Sequence, residues 1–298
     1  MVHWPAAERL RWGALLVCVF SNLVASVAPA APDSPGLRFA RHGEPVMAAT
    51  LASLRDQFPT SRIRVREPYE AGEVSFEALP FAAVLDAIYS PSWRDEEELL
   101  FTCSDGYQPT VPVQRVLHHR AWLAFDRVGE PGFSILKLES GQHKRIELGP
   151  FYLIWENIDD AQVQQEGDYG WPYQLVGVDL IRTAERFPRM LPPAGAPDDV
   201  RVGFAAFRVH CSRCHTINGE GGRIGPELNG PASAVELRDA AWLRRWLDDP
   251  SQIAPESRMP RLNPALPNRE RTLSAILAYL EAMSRAKPTP TAGRAGER

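Results

Sequence analysis

The chain has 298 residues, 44% of them hydrophobic and 23% charged, with a formal net charge of −4. That length allows two domains of ordinary size, and that composition excludes the disordered and fibrous classes. A modest negative charge also argues against a general nucleic-acid binder, which needs a strong basic excess.

The first thirty residues read as an export signal. Arg9 and Arg11 precede the apolar run "GALLVCVFSNLVASV", and Ala28-Pro29-Ala30 gives a small-x-small cleavage pattern before the chain turns polar. The run is short for a bilayer span. Residues 1–30 are therefore assigned as a signal peptide and the mature chain to a bacterial periplasm. An uncleaved N-terminal membrane anchor is the alternative, and membrane association follows only from it. Valine, not a small residue, precedes Cys18, so no lipid attachment is assigned there. Without Cys18, the chain keeps Cys103, Cys211 and Cys214, an odd set that does not suit a disulfide scaffold.

Residues 31–185 carry mixed signals. "FAAVLDAIY" follows Pro80 and spaces its apolar residues like a short helix. "ELLFTC", "TVPVQRV", "AWLAFDRV", "FSILKL", "FYLIWEN" and "YQLVGVDLIRTA" are β-like runs separated by turn signals such as Asp105-Gly106. Cys103 reads as a buried structural cysteine. His118, His119 and His143 lack metal-ligand spacing and are expected on surface loops.

The segment "RFPRMLPPAGAPDD" contains four prolines, and residues 186–197 are read as a semi-rigid linker. Beyond it the pattern turns helical. "DDVRVGFAAFRVH" begins with acidic residues that suit a helix N-terminus, "DAAWLRRWLDDP" is a short helix stopped by Pro250, and "NRERTLSAILAYLEAM" is an amphipathic helix with Asn268 as its cap. Residues 286–298 lack apolar periodicity and are expected to be a disordered tail.

Between the first two of these helices stands "CSRCH", Cys211 to His215. Covalent attachment of haem c needs two thiols placed to meet the two porphyrin vinyl groups, with a histidine next to the second that reaches the iron from the same face. A zinc site would need two further ligands, and a redox C-x-x-C would not need the histidine. The assigned cofactor is one covalent haem c, with Cys211 and Cys214 as thioether donors and His215 as an axial ligand. The second axial ligand comes from Met47, Met190, Met259 or Met283. Met259 is chosen because it lies in a proline-rich loop that can bend over the open haem face, with Pro260 fixing its path. His210 directly precedes Cys211 and is read as a helix residue near the haem rim.

Residues 198–285 resemble the class I cytochrome c family. The resemblance rests on Gly203 and Phe207, "CSRCH", "IGPELNG", "WLDDPSQIAPESRMPRL" and "LSAILAYLEAM" in that order. It implies that Gly203 and Phe207 pack against the last helix near Tyr279. It also implies that Pro226 orients the axial histidine and that His215 and Met259 hold the iron.

Residues 45–185 are more weakly similar to the sulfite-oxidase-type molybdopterin-binding fold, through the helix at "PFAAVLDAI", the "DGY" hairpin and the glycine-proline turn in "ELGPFYLIWEN". That family's molybdenum-binding cysteine lies upstream of the strand carrying "DGY", where the mature chain has none. No molybdopterin is therefore assigned. The expected fold is α+β: a mixed, strand-rich domain over 31–185 followed by an all-α cytochrome c domain over 198–285. The implied function is exported electron transfer by a monohaem cytochrome, with the first domain docking a redox partner. A periplasmic dehydrogenase is the expected donor and a terminal oxidase or another cytochrome the acceptor. The alternative is a molybdenum-dependent oxidoreductase fused to its cytochrome acceptor.

Overall fold

The computed structural model describes residues 36–70, 72–139 and 142–287. The signal segment 1–30 with Cys18, and all but the start of the expected tail, lie outside the described residues.

In chain order the elements begin with β1 (Leu37–Arg41), β2 (Glu44–Ala49), α1 (Leu51–Gln57), β3 (Ser61–Glu67), β4 (Gly72–Pro80) and α2 (Phe81–Tyr89). They continue with β5 (Glu98–Cys103), β6 (Thr110–Pro112), α3 (Val113–His118), β7 (Ala121–Arg127), β8 (Ser134–Glu139), β9 (Gln142–Glu147), β10 (Tyr152–Trp155), α4 (Ala161–Gln165), β11 (Leu175–Ile181) and α5 (Thr183–Arg186). The helical part comprises α6 (Asp198–His210), the short ladder β12 (Thr216–Ile217) and β13 (Glu220–Gly221), α7 (Ala234–Leu237), α8 (Ala240–Asp248) and α9 (Arg269–Arg285). The molecule is thus mixed, strand-rich first and helical afterwards.

Two sheets organise the strand-rich region. One runs β2-β1-β11-β5-β6, with β1 parallel to β11 and the other pairs antiparallel; the second runs β10-β7-β4-β3 and is antiparallel throughout. The β8–β9 hairpin stands apart from both. Phe39 and Phe101 of the first sheet share one apolar core with Phe76, Leu123 and Tyr152 of the second and with Phe81, Val84 and Leu85 of α2.

β5 explains how a second core arises beside the first. Successive side chains of a strand point to opposite faces, and a strand buried on both faces reads as a continuous apolar run, which "ELLFTC" is. Leu99, Phe101 and Cys103 enter the first core. Leu100 enters the second, joined by Ile181 from β11, Phe187, Met190, Val200 and Phe207, and Ile276, Tyr279 and Leu280 of α9. Within the proline-marked segment 186–197, Phe187 and Met190 are buried, and the Tyr279 hydroxyl donates to the Met190 carbonyl at 2.7 Å. The helical part is thereby seated on the outer face of the first sheet.

Three local expectations are corrected. "TVPVQRV" is not one strand: β6 stops at Pro112, and Val113 opens α3, with Val113 and Val116 buried on one face. Proline lacks a ladder N–H and is well suited to the residue before a helix. Asn268 precedes α9 in the left-handed region at φ 55°, and its side chain makes no capping bond. Of the three histidines expected on surface loops, His118 ends α3 and His143 lies in β9, both exposed, whereas His119 does follow α3 in a loop but is mostly covered and bonds Asp160 at 2.6 Å. Among the described residues, no helix is long and apolar enough to cross a membrane.

Candidate functional site

The site begins at the crossing of α6 and α9. A Cβ on Gly203 would lie 1.9 Å from the Ala275 carbonyl oxygen and 2.8 Å from the Tyr279 Cβ, so only glycine permits this approach. Beside it the rings of Phe207 and Tyr279 pack with centroids 5.1 Å apart. That contact fixes the direction in which α6 ends and delivers the cysteine motif.

At the end of α6 the chain coils tightly. Cys211 and Ser212 both donate their backbone N–H to the Phe207 carbonyl, and Cys214 and His215 both donate to Cys211. The following loop folds back against this turn. Gly222 donates to the Ser212 carbonyl at 2.7 Å and Gly225 to the Cys214 carbonyl at 2.8 Å. A Cβ on Gly221 would meet the His215 carbonyl at 2.3 Å, and one on Gly225 would meet the His215 ring at the same distance. "GGRIG" is therefore a backbone surface laid directly on the motif, a role the sequence reading assigned to none of these glycines.

His215 is 9% exposed. Its Nδ1–H donates to the Pro226 carbonyl at 2.9 Å, an arrangement that leaves Nε2 as the lone-pair nitrogen. Burial holds the imidazole below its ordinary pKa, so it stays in the neutral form that ligates a metal. Cys211 and Cys214 form no disulfide. Burial pushes the Cys211 thiol up to about 12 and raises Cys214 as well.

Cys211, Cys214 and His215 line a cavity of about 640 Å³ whose surface is mostly apolar, with Phe207, Leu228, Ile276 and Leu280 among its walls. Met259 lines the same cavity. The Trp246 indole N–H donates to the Met259 sulfur at 3.0 Å, and Trp246 stacks on Trp242 at a centroid distance of 5.2 Å and an interplanar angle of 11°. Nothing in the sequence analysis singled out Trp246 as a partner of Met259. Its i−13 position on α8 could have suggested it only with the loop path known. The other methionines stand elsewhere: Met190 and Met283 are buried in the second core, and Met47 is exposed on β2.

The donor set and the space fit a covalent haem. Two thiols, a neutral imidazole held by its other nitrogen and a thioether sulfur line one mostly apolar cavity of about 640 Å³. Gly225 leaves the room against the imidazole that such a ligand needs.

The strand-rich region reaches this site. Arg213, between the two cysteines, pairs with Asp168 at 3.1 Å and donates to the Tyr107 hydroxyl at 3.1 Å. Gln108 donates to the Arg213 carbonyl at 2.9 Å, and Arg223 donates to the Gly106 carbonyl at 3.1 Å. The "DGY" turn thus clasps the cysteine motif. On the far side, the loop after Met259 is tied down where Asn263 donates to the Gln165 carbonyl at 2.9 Å. His210 lies beside Arg213 and Asp168 at the edge of the motif, and burial lowers its imidazole to about 4.

A comparison with curated proteins gives no match. The family match does not extend to the strand-rich region. Residues 200–284 match the family model described as cytochrome c, so this segment is similar to a family that binds haem c covalently and exchanges electrons with redox partners.

Proposed function

We propose that the chain is an exported monohaem c-type cytochrome that carries electrons, its strand-rich region serving recognition of a redox partner. The observation that carries this reading is the single cavity onto which Cys211, Cys214, the Nδ1-anchored His215 and the Met259 sulfur all open. Cys211 and Cys214 would hold haem through thioethers, Pro226 would orient His215, and His215 and Met259 would take the axial positions. Bound there, haem supplies a one-electron iron couple, and histidine-methionine ligation favours a high potential suited to transfer.

The chain's own contribution is positional. The Pro226 carbonyl fixes the ring and tautomer of His215, the apolar walls keep water from the iron site, and the tethered loop keeps the Met259 sulfur at hand. A periplasmic dehydrogenase as donor and a terminal oxidase or second cytochrome as acceptor fit this role. The molybdenum alternative gains no support, since Cys103 is packed into the first core at 3% exposure.

An optical redox titration tests the reading. Protein made in a host with haem c maturation should show one reversible one-electron couple and should not bind carbon monoxide while Met259 is in place. A redox-inert protein, or an iron open to carbon monoxide, counts against it.

A further inference from the structure

The turn that follows α4 reaches the helical part at two places. The Asn263 amide donates to the Gln165 carbonyl at 2.9 Å, and the Gln165 amide donates to the Ala265 carbonyl at 3.4 Å, just beyond Met259 in the chain. Asp168 pairs at 3.1 Å with Arg213, which stands between the two cysteines. Between these contacts lies Gly167, at φ 65°, where a Cβ would come within 3.4 Å of the Asn263 amide nitrogen. One short turn therefore grips the loop that carries Met259 and the motif that carries His215.

The same turn is anchored at its base. Glu166 forms an ion pair with Arg115, which is 7% exposed and lies over the rings of Trp155 and Tyr169 at 4.5 and 5.0 Å. The Trp155 indole N–H donates to the Gly170 carbonyl at 2.6 Å. Glu166, Tyr169 and Gly170 fix the turn to the strand-rich region, while Gln165 and Asp168 hold the helical part.

The Met259 loop needs such a hold. Pro255, Glu256, Arg258, Pro260 and Arg261 are exposed, and exposed loops with few core contacts open locally at low cost. Met259 also lines two spaces, the haem cavity and a cleft of about 610 Å³ that Gly167 and Asp168 border. The cleft gives the Met259 side chain room to withdraw.

We propose that residues 165–168 are a two-sided clamp, positioning residues that set the distance between the Met259 loop and the His215 motif and so keep Met259 as a ligand. The effect on the iron rests on the haem reading; the hold on the loop and on the motif does not.

Two variants of the holoprotein test it. Asn263→Asp keeps the oxygen that accepts the Ala265 N–H but removes the donor to Gln165. Asp168→Asn removes the charge that holds Arg213. Hydrogen exchange should rise about fivefold or more over 255–262 in the first and over 211–215 in the second, with α1 and α2 unchanged, since each variant loses one hydrogen-bonded hold. Each ferrous variant should also bind carbon monoxide where the parent does not. Exchange that stays at the parent rate, or rises equally in every segment, overturns the proposal. So does an Asp168→Asn protein that stays closed to carbon monoxide while Asn263→Asp opens, because the turn would then hold one side alone. A denatured protein whose mass contains no haem would defeat the reading of the cavity, and the exchange rates would still decide on the clamp.

Discussion

Arg208 of α6 and Glu98 of β5 form a buried ion pair that joins the helix carrying the cysteine motif to the strand-rich sheet. The same guanidinium donates to the hydroxyls of Thr183 at 2.7 Å and Thr110 at 2.8 Å, and the Thr183 hydroxyl donates to Glu98 at 3.1 Å. Removing one partner strands the other charge without water. Arg208→Leu should therefore lower the unfolding free energy by about 3 kcal/mol or more, whereas Arg208→Met combined with Glu98→Leu should recover most of it. Urea unfolding followed by tryptophan fluorescence and by haem absorbance measures both, and a single variant as stable as the parent would contradict the pairing.

Gly225→Ala places a methyl group 2.3 Å from the His215 ring. The ring must turn, and its bond to Pro226 must stretch or break. The expected result is a smaller covalently loaded fraction and a shift toward high-spin iron in the loaded protein. The visible spectrum and electron paramagnetic resonance report both.

Met259→Ala should leave covalent attachment intact, open the iron to carbon monoxide and lower the potential. Trp246→Phe keeps an aromatic ring but removes the donor to the sulfur. Without that donor the thioether gives more electron density to oxidised iron, so the potential should fall by a smaller step, on the order of tens of millivolts. Potentiometric titration of the two variants separates ligand loss from loss of the donor.

His210 gives the stability a pH dependence. Burial, assisted by the charge on Arg213, lowers its folded-state pKa from 6.5 to about 4. Between those values the unfolded chain takes up a proton that the folded protein refuses. Stability should therefore fall as pH drops from about 6.5 toward 4 and level off below. His210→Gln should flatten that part of the profile, as measured by urea unfolding across the pH range.

The bond from His215 to the Pro226 carbonyl agrees with what the resemblance to the cytochrome c family implied, and Met259 lines the same cavity as the cysteine motif; both lie within short stretches of the helical part. Helix α8 and the start of α6 were legible from short local patterns, through Asp239 and the Asp198-Asp199 pair. Contacts between distant segments were not. Arg208 meets Glu98 across 110 positions, and Arg213 meets Tyr107 across 106, with nothing in either local sequence to announce it. Strand β3 went unread although its signal was present: Ile63 and Val65 alternate with arginines. "TVPVQRV" misled because valine favours strands, while burial of one helical face on the first core decided the outcome.

The central claim is that Cys211 and Cys214 hold one haem covalently, and the intact mass of the denatured holoprotein tests it most directly. The account predicts a mass greater than the polypeptide by one haem, with the added mass on the peptide spanning Cys211 to His215, and its loss in Cys211→Ala/Cys214→Ala. Haem that leaves the parent protein on extraction with acidified acetone, or a mass with no haem added, would contradict it.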